Sequence, residues 1–223
     1  YVYAGESVPD NSPVFLLPFL MQIKNRRKYM SGKYKNNRKK DSHLQEIYGS
    51  QNFLTSRRLL ERIVRKSTIT KNDLVIEIGT GKGHLTEVLC RKAEYVYSVE
   101  IDRKLYERAK ERLKNVNNLK ITCGDFMKYH LPDKGNYKVF SNIPYYLTTR
   151  IVRKLTENAN PPSEIWLVME KGAAKRFLGV PVETKYSLSL KHKWKPSIVY
   201  FFKKEDFHPK PSVDSVLLHF LHK

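Results

Sequence analysis

The sequence predicts an α/β fold built on a mostly parallel, doubly wound sheet with an antiparallel edge. Three observations predict it. Short apolar runs alternate with stretches of helical periodicity. Glycine and acidic residues fall just where several of those runs end, as they do at ligand-binding strand ends. Two further apolar runs near the end have no helical pattern between them, which fits an antiparallel pair at one sheet edge.

Taken in order, structure is expected from about Ser42. Leu74–Ile78 (LVIEI) reads as a short buried strand. Residues 83–92 follow with Leu85, Val88 and Leu89 on one helical face. Residues 95–99 form a second strand and 104–113 a charged amphipathic helix. Strands are expected at 119–122, 138–141 and 165–169, with a helix from Thr149 to about Glu157 between the last two. Residues 198–202 and 215–221 are the closing pair.

The first 41 residues read differently. Residues 24–40 carry nine basic side chains and no acidic one, a composition that cannot bury apolar surface, so residues 1–41 are expected to be a flexible basic arm ahead of a domain at 42–223. Met21 and Met30 are both possible starts, so part of the first 29 residues is not expected to belong to the fold. The formal charge of +20 and pI near 9.8 point to a nucleic acid or another anionic partner, because neutralising phosphates releases counterions. No apolar run reaches the ~18 residues a membrane span needs, and residues 14–21 are short and broken by Pro18. The two cysteines, Cys90 and Cys123, suggest neither a disulfide framework nor a zinc site and suit a cytoplasmic protein.

Glu77-Ile-Gly79-Thr-Gly81-Lys-Gly83 ends the first strand. Glycines there let the backbone turn sharply and approach a ligand without Cβ interference. The spacing is GxGxG rather than the GxGxxG of a dinucleotide fingerprint. Glu100 ends the second strand about twenty residues on, where a carboxylate can accept two ribose hydroxyls. Asp125 follows the third strand, placed to accept from an adenine amine, with Phe126 beside it to cover the ring. Two acidic strand ends after a glycine turn describe an adenosine site; either alone could be a helix cap.

Ser141-Asn142-Ile143-Pro144-Tyr145-Tyr146 follows the fourth strand. An exocyclic adenine amine is a poor nucleophile because its lone pair is delocalised. The Asn142 side-chain oxygen and a backbone carbonyl at Ile143 or Pro144 could accept its hydrogens and favour the tetrahedral nitrogen of the transition state. Pro144 withholds a competing donor and stiffens the loop, and Tyr145 offers a flat face for the base. No metal is required.

The motifs SQNFL at 50–54, EIGTGKG at 77–83, SVEID at 98–102, CGDF at 123–126, NIPYYLTT at 142–149 and FHPKP at 207–211 together make the chain resemble the Erm and KsgA family of ribosomal RNA adenine dimethyltransferases, from about Gln45 to Leu221. NIPY, and FHPKPSVDS at 207–215, resemble the Erm branch, which confers macrolide, lincosamide and streptogramin B resistance; the housekeeping branch usually has NLPY. The resemblance implies a Rossmann-like class I methyltransferase that uses S-adenosylmethionine and methylates N6 of an adenine in 23S ribosomal RNA before the ribosome is fully assembled, acting as a monomer. It implies that Asn52, Leu54, Gly79, Gly81, Glu100, Asp125 and Asn142 contact the cofactor, that Asn142, Pro144 and Tyr145 serve the target amine, and that Phe207 stacks on the target base opposite Tyr145. Family members normally continue into a small helical lobe, which this sequence, ending at Lys223, does not include. The rival readings are a housekeeping small-subunit RNA dimethylase, a DNA adenine methyltransferase, and a non-catalytic RNA-binding factor of the same fold.

Overall fold

The computed structural model describes residues 52–223; the expected basic arm and residues 50–51 of the first motif lie outside the described residues. The chain enters through a two-residue strand β1 (Phe53–Leu54) and helix α1 (Arg57–Arg65), which Ser56 caps by accepting the Leu59 N–H. Then follow β2 (Leu74–Ile78), α2 (His84–Lys92), β3 (Tyr95–Glu100), α3 (Arg103–Arg112) and β4 (Leu119–Cys123). The second half runs β5 (Lys138–Asn142), α4 (Thr148–Thr156), β6 (Glu164–Glu170), α5 (Lys171–Leu178), α6 (Lys185–Lys193), β7 (Trp194–Phe201), β8 (Phe207–His208) and β9 (Ser215–His222).

Seven strands make one sheet in the order β4-β3-β2-β5-β6-β9-β7, and β1 pairs with β8 in a separate two-stranded ribbon. Strands β2 to β6 are parallel; β2, β3, β5 and β6 are largely buried, which is why they read as apolar runs, while the edge strand β4 is only half-buried. The reversed strand is β9, and it lies one place in from the edge, antiparallel to both β6 and β7. The edge strand β7 therefore runs with the parallel set and carries a bulge between Ile198 and Tyr200. It also begins at Trp194, earlier than the expected 198.

Three helices escaped the sequence reading. Helix α1 buries Leu59, Leu60, Ile63 and Val64 and joins Leu85, Val88 and Leu89 of α2 in the main apolar core. Helices α5 and α6 have weak patterns; α5 buries only Ala173, Ala174 and Phe177, and α6 starts from a capping box at Thr184 and Ser187. Among the described residues no helix is long and apolar enough to cross a membrane.

Among the described residues, buried acidic and basic side chains lie at the end of β3 (Glu100 and Asp102) and in two further places. At the amino ends of β5 and β6, the Lys138 ammonium donates to the Thr68 carbonyl at 3.0 Å and sits 3.2 Å from Asp73 and 3.4 Å from Glu164. Glu164 in turn contacts His219 at 2.8 Å, whose ring stacks on Trp166 with centroids 3.7 Å apart. Burial holds the His219 pKa below its ordinary value, the Glu164 carboxylate opposing. Such a network costs desolvation and repays it by fixing which groups meet.

The second place lies in β2, under the glycine turn. Glu77 is fully buried; its Oε2 accepts the hydroxyls of Ser98 at 2.6 Å and Thr86 at 2.7 Å, while Oε1 has no hydrogen-bond partner among the described residues. Burial pushes its pKa up to about 8, against the two hydroxyls. Between the ordinary carboxyl value of 4.5 and about 8, the folded protein keeps a proton that the unfolded chain has released. The stability this group contributes is thus complete below 4.5 and lost as pH rises through 8. Glu77→Gln should remove that loss, so the melting temperature of the variant relative to the native chain should climb from pH 5 to pH 8.5. Parallel melting curves across that range would mean that Glu77 ionises freely.

Candidate active site

The site lies where the two central strands part. β2 and β5 pair only through Val75 with Lys138 and Ile76 with Val139. Beyond that register the Ser141 hydroxyl takes over, donating to the Ile78 carbonyl and accepting the Ile78 N–H. Past this bridge a cleft opens, walled by the turn after β2, the end of β3, the loop after β4 and the loop after β5. This is the position at which an open parallel sheet binds ligands, since the winding reverses between β2 and β5.

The turn after β2 needs its glycines. Gly79, Gly81 and Gly83 have φ of +81°, +55° and +77°, where a side chain is strained. A Cβ on Gly79 would meet nothing within 4 Å, so the backbone there borders open cleft. A Cβ on Gly81 would come within 2.9 Å of the Phe53 ring, so β1 closes over this part of the turn. Lys82 Nζ lies 5.0 Å from the centroid of the same ring.

Glu100 holds the turn from the side. Its Oε2 accepts the Gly81 N–H at 2.7 Å and its Oε1 the Asp102 N–H at 2.8 Å, and burial holds its pKa above the ordinary value. Asp125 caps a short 3-10 turn at Phe126–Lys128, its Oδ1 accepting the Met127 N–H at 2.8 Å. Phe126 is buried on the cleft wall and stacks against Tyr129, centroids 6.2 Å apart.

The loop after β5 is braced on three sides. The Asn142 amide nitrogen donates to the Asn52 carbonyl at 2.8 Å, which turns Oδ1 away from that partner. The Ile143 N–H reaches the Val168 carbonyl at 3.2 Å. The Tyr145 hydroxyl shares a 2.6 Å hydrogen bond with Ser215 Oγ, and the Tyr145 carbonyl accepts the Thr148 hydroxyl at 2.8 Å. The Pro144 carbonyl is already taken by the Leu147 N–H at 3.0 Å.

Of the residues singled out in the sequence, the structure gathers Asn52, Leu54, Gly79, Gly81, Glu100, Asp125, Asn142, Pro144 and Tyr145 on this one cleft. Phe207 is the exception, outside the residues that line the cleft. It is 3% exposed, pairs with Leu54 through β8, and packs edge-on against Phe202 at 5.4 Å, away from the cleft lining. Its ring belongs to the main apolar core. Sequence reading also missed Ser215, which orients Tyr145, and the exposed Tyr146 at the cleft; a serine opening a strand carries no signal of that role.

The donor and acceptor set fits S-adenosylmethionine. The open backbone at Gly79, the acidic strand end at Glu100, and the Asp125–Phe126 wall together suit an adenosine with a short charged tail.

A family model described as ribosomal RNA adenine dimethylase matches residues 42–223. An rRNA adenine N-6-methyltransferase of Escherichia coli is 39% identical over 171 residues, 76% of this chain and 68% of that protein. One from Bacillus licheniformis is 39% identical over 177 residues, 79% of this chain and 61% of that protein. Among solved structures, the 23S rRNA methyltransferase ErmE superposes with a TM-score of 0.72 at 25% identity, covering 77% of this chain and 70% of that one. A dimethyladenosine transferase from Plasmodium falciparum gives 0.70 at 29%, covering 77% and 63%. With that match and this cleft, the chain belongs to the ribosomal RNA adenine dimethylase family, as an Erm-type, S-adenosylmethionine-dependent rRNA adenine methyltransferase.

Proposed function

We propose that this chain methylates N6 of an adenine in 23S ribosomal RNA before the ribosome is fully assembled, and so confers macrolide, lincosamide and streptogramin B resistance. The observation that carries the chemistry is the Asn142 amide, locked to the Asn52 carbonyl inside the cleft. S-adenosylmethionine supplies the electrophilic methyl.

In this reading Glu100 receives the ribose hydroxyls on the lone pairs that its backbone donors leave open, and Asp125 receives the adenine amine of the cofactor. Phe126 covers that ring, and Asn52, Leu54, Gly79 and Gly81 shape the remaining wall. Asn142 Oδ1 accepts one hydrogen of the target amine. With the Pro144 carbonyl engaged by Leu147, the Ile143 carbonyl is the better second acceptor. Two acceptors draw the nitrogen toward a tetrahedral geometry and free its lone pair for in-line attack. Pro144 fixes the loop at φ −62°, and the Tyr145 ring, held by Ser215, supports the base.

The branch assignment rests on the NIPY and FHPKPSVDS motifs and on the likeness to ErmE. Primer extension on ribosomal RNA from cells expressing the chain should stop in the peptidyl transferase region of the large subunit. A stop in the small subunit instead would identify the housekeeping activity.

Asn142→Ala should lower single-turnover rate by ~10²-fold or more with both substrates saturating, since its acceptor matters most in the transition state. A near-normal rate would remove Asn142 from the chemistry.

Tyr145→Ala should lose a stacking face worth ~1–3 kcal/mol per base. Tyr145→Phe should keep most of the rate while costing about 1 kcal/mol of stability, because only the bond to Ser215 is lost. Ser215→Ala should show the same small stability loss; a Tyr145→Phe enzyme as inactive as Tyr145→Ala would put the hydroxyl, not the ring, at work.

A further inference from the structure

Helix α4 begins immediately after the NIPYYL loop and so is anchored to the residues placed at the target amine. Its charged positions look like a solvated face, but Lys154 departs from that pattern. Its ammonium donates to the carbonyls of Met127 at 3.0 Å and Tyr129 at 2.7 Å. It also lies 5.4 Å from the centroid of the Phe126 ring. Those partners belong to one short segment, residues 125–129, which carries Asp125 and Phe126 into the cleft.

Within the segment the buried Phe126 ring stacks on Tyr129. The segment's backbone bonds are local to the 3-10 turn: the Lys128 N–H to the Asp125 carbonyl at 2.9 Å and the Tyr129 N–H to the Phe126 carbonyl at 3.0 Å. Lys154 reaches into this segment from another element. Burial lowers its pKa from the ordinary value, and the Asp125 carboxylate pulls it back. A half-buried ammonium that spends two donors on carbonyls and faces an aromatic ring is expensive to desolvate, and its return is the fixed position of those groups.

We infer that Lys154 is a positioning residue for cofactor binding: it fixes the Asp125–Phe126 wall and ties it to the helix that follows the NIPY loop. This rests on Asp125 and Phe126 being the adenine wall, as proposed above. The tie runs from the cofactor side of the cleft to the target side in one side chain. A shift of the 125–129 segment is therefore felt first in cofactor affinity, with the acceptors at Asn142 and Ile143 unmoved.

The test is calorimetry with S-adenosylhomocysteine on the whole chain and its Lys154→Met, Lys154→Arg and Asp125→Ala variants, with melting temperatures and far-ultraviolet circular dichroism alongside. Lys154→Met keeps the stem and removes the donors, and should weaken binding about tenfold, as expected for losing charged hydrogen bonds. Lys154→Arg, whose fork can still reach the carbonyls, should recover most of that loss. In turnover, Lys154→Met should raise KM for S-adenosylmethionine by a similar factor and leave kcat within about threefold, a split that general destabilisation would not produce. If Asp125→Ala binds normally, the adenine wall itself is misplaced. If Asp125→Ala binds weakly and Lys154→Met binds normally, only the positioning role falls. A Lys154→Met chain that loses its fold also overturns the inference, because the role would then be general rather than confined to residues 125–129.

Discussion

The site depends on the way β2 and β5 stop pairing. Two strands that stayed hydrogen-bonded to their ends would leave no room between the turn after one and the loop after the other. Here backbone pairing ends at Ile76 and Val139, and one serine side chain satisfies both the N–H and the carbonyl of Ile78. A fully buried backbone amide cannot be left unpaired without loss, so the splay of the strands is possible only because Ser141 stands in for the missing ladder. An alanine or valine at that place would leave the two Ile78 groups with no partner, or force the strands together and close the cleft.

From that opening, two ties set the walls. Glu100, from the neighbouring strand, holds the glycine turn by its Gly81 N–H, so the end of β3 and the end of β2 move as one. Asn142, from β5, holds the entering chain by the Asn52 carbonyl, so β1 and the catalytic loop move as one. Both ties use a side chain that has capacity to spare: a carboxylate with further lone pairs, and an amide whose oxygen is not needed for the tie. The same residues can thus be structural and functional at once. Their burial does not argue against a role toward ligands.

How much of this was legible in the sequence follows from chemistry that is local or not. Strands β2, β3, β5 and β6 and the residues at their carboxyl ends were readable, because a buried parallel strand is an apolar run and its end is where the run breaks; the half-buried edge strand β4 alternates Leu119 and Ile121 with Lys120 and Thr122 instead. Glycine turn, Glu100, Asp125 and Asn142 all fall at such breaks. Helix α1 was readable in principle from Leu59, Leu60, Ile63 and Val64, but its basic face made it look like a continuation of the expected arm. The ribbon of β1 and β8 has two residues on each side, too few for any period to show. Phe207 shows the sharper limit: an aromatic in a motif has the same letters whether it faces a base or fills the core beneath one. Its pairing with Leu54 and its contact with Phe202 are visible only in the fold.

Charge was legible as a total and illegible as a distribution. The basic composition pointed to a polyanionic partner, yet some lysines spend their charge inside the protein. Lys92 gathers the Val64 and Ser67 carbonyls at the end of α1, Lys138 the Thr68 carbonyl among acidic neighbours, and Lys154 two carbonyls beside the cofactor wall. Each meets a carbonyl at a helix end or in a loop, which is a use of lysine for its length and its three hydrogens. Cations available to phosphates are those with exposed ends. Arg58, Arg62 and Arg65 on α1 are such a set, on the solvent face of the helix that follows Asn52–Leu54 at the cleft. Nucleic-acid affinity and fold stability therefore draw on different lysines and arginines. A count of basic residues cannot separate them; the partner atom of each ammonium does.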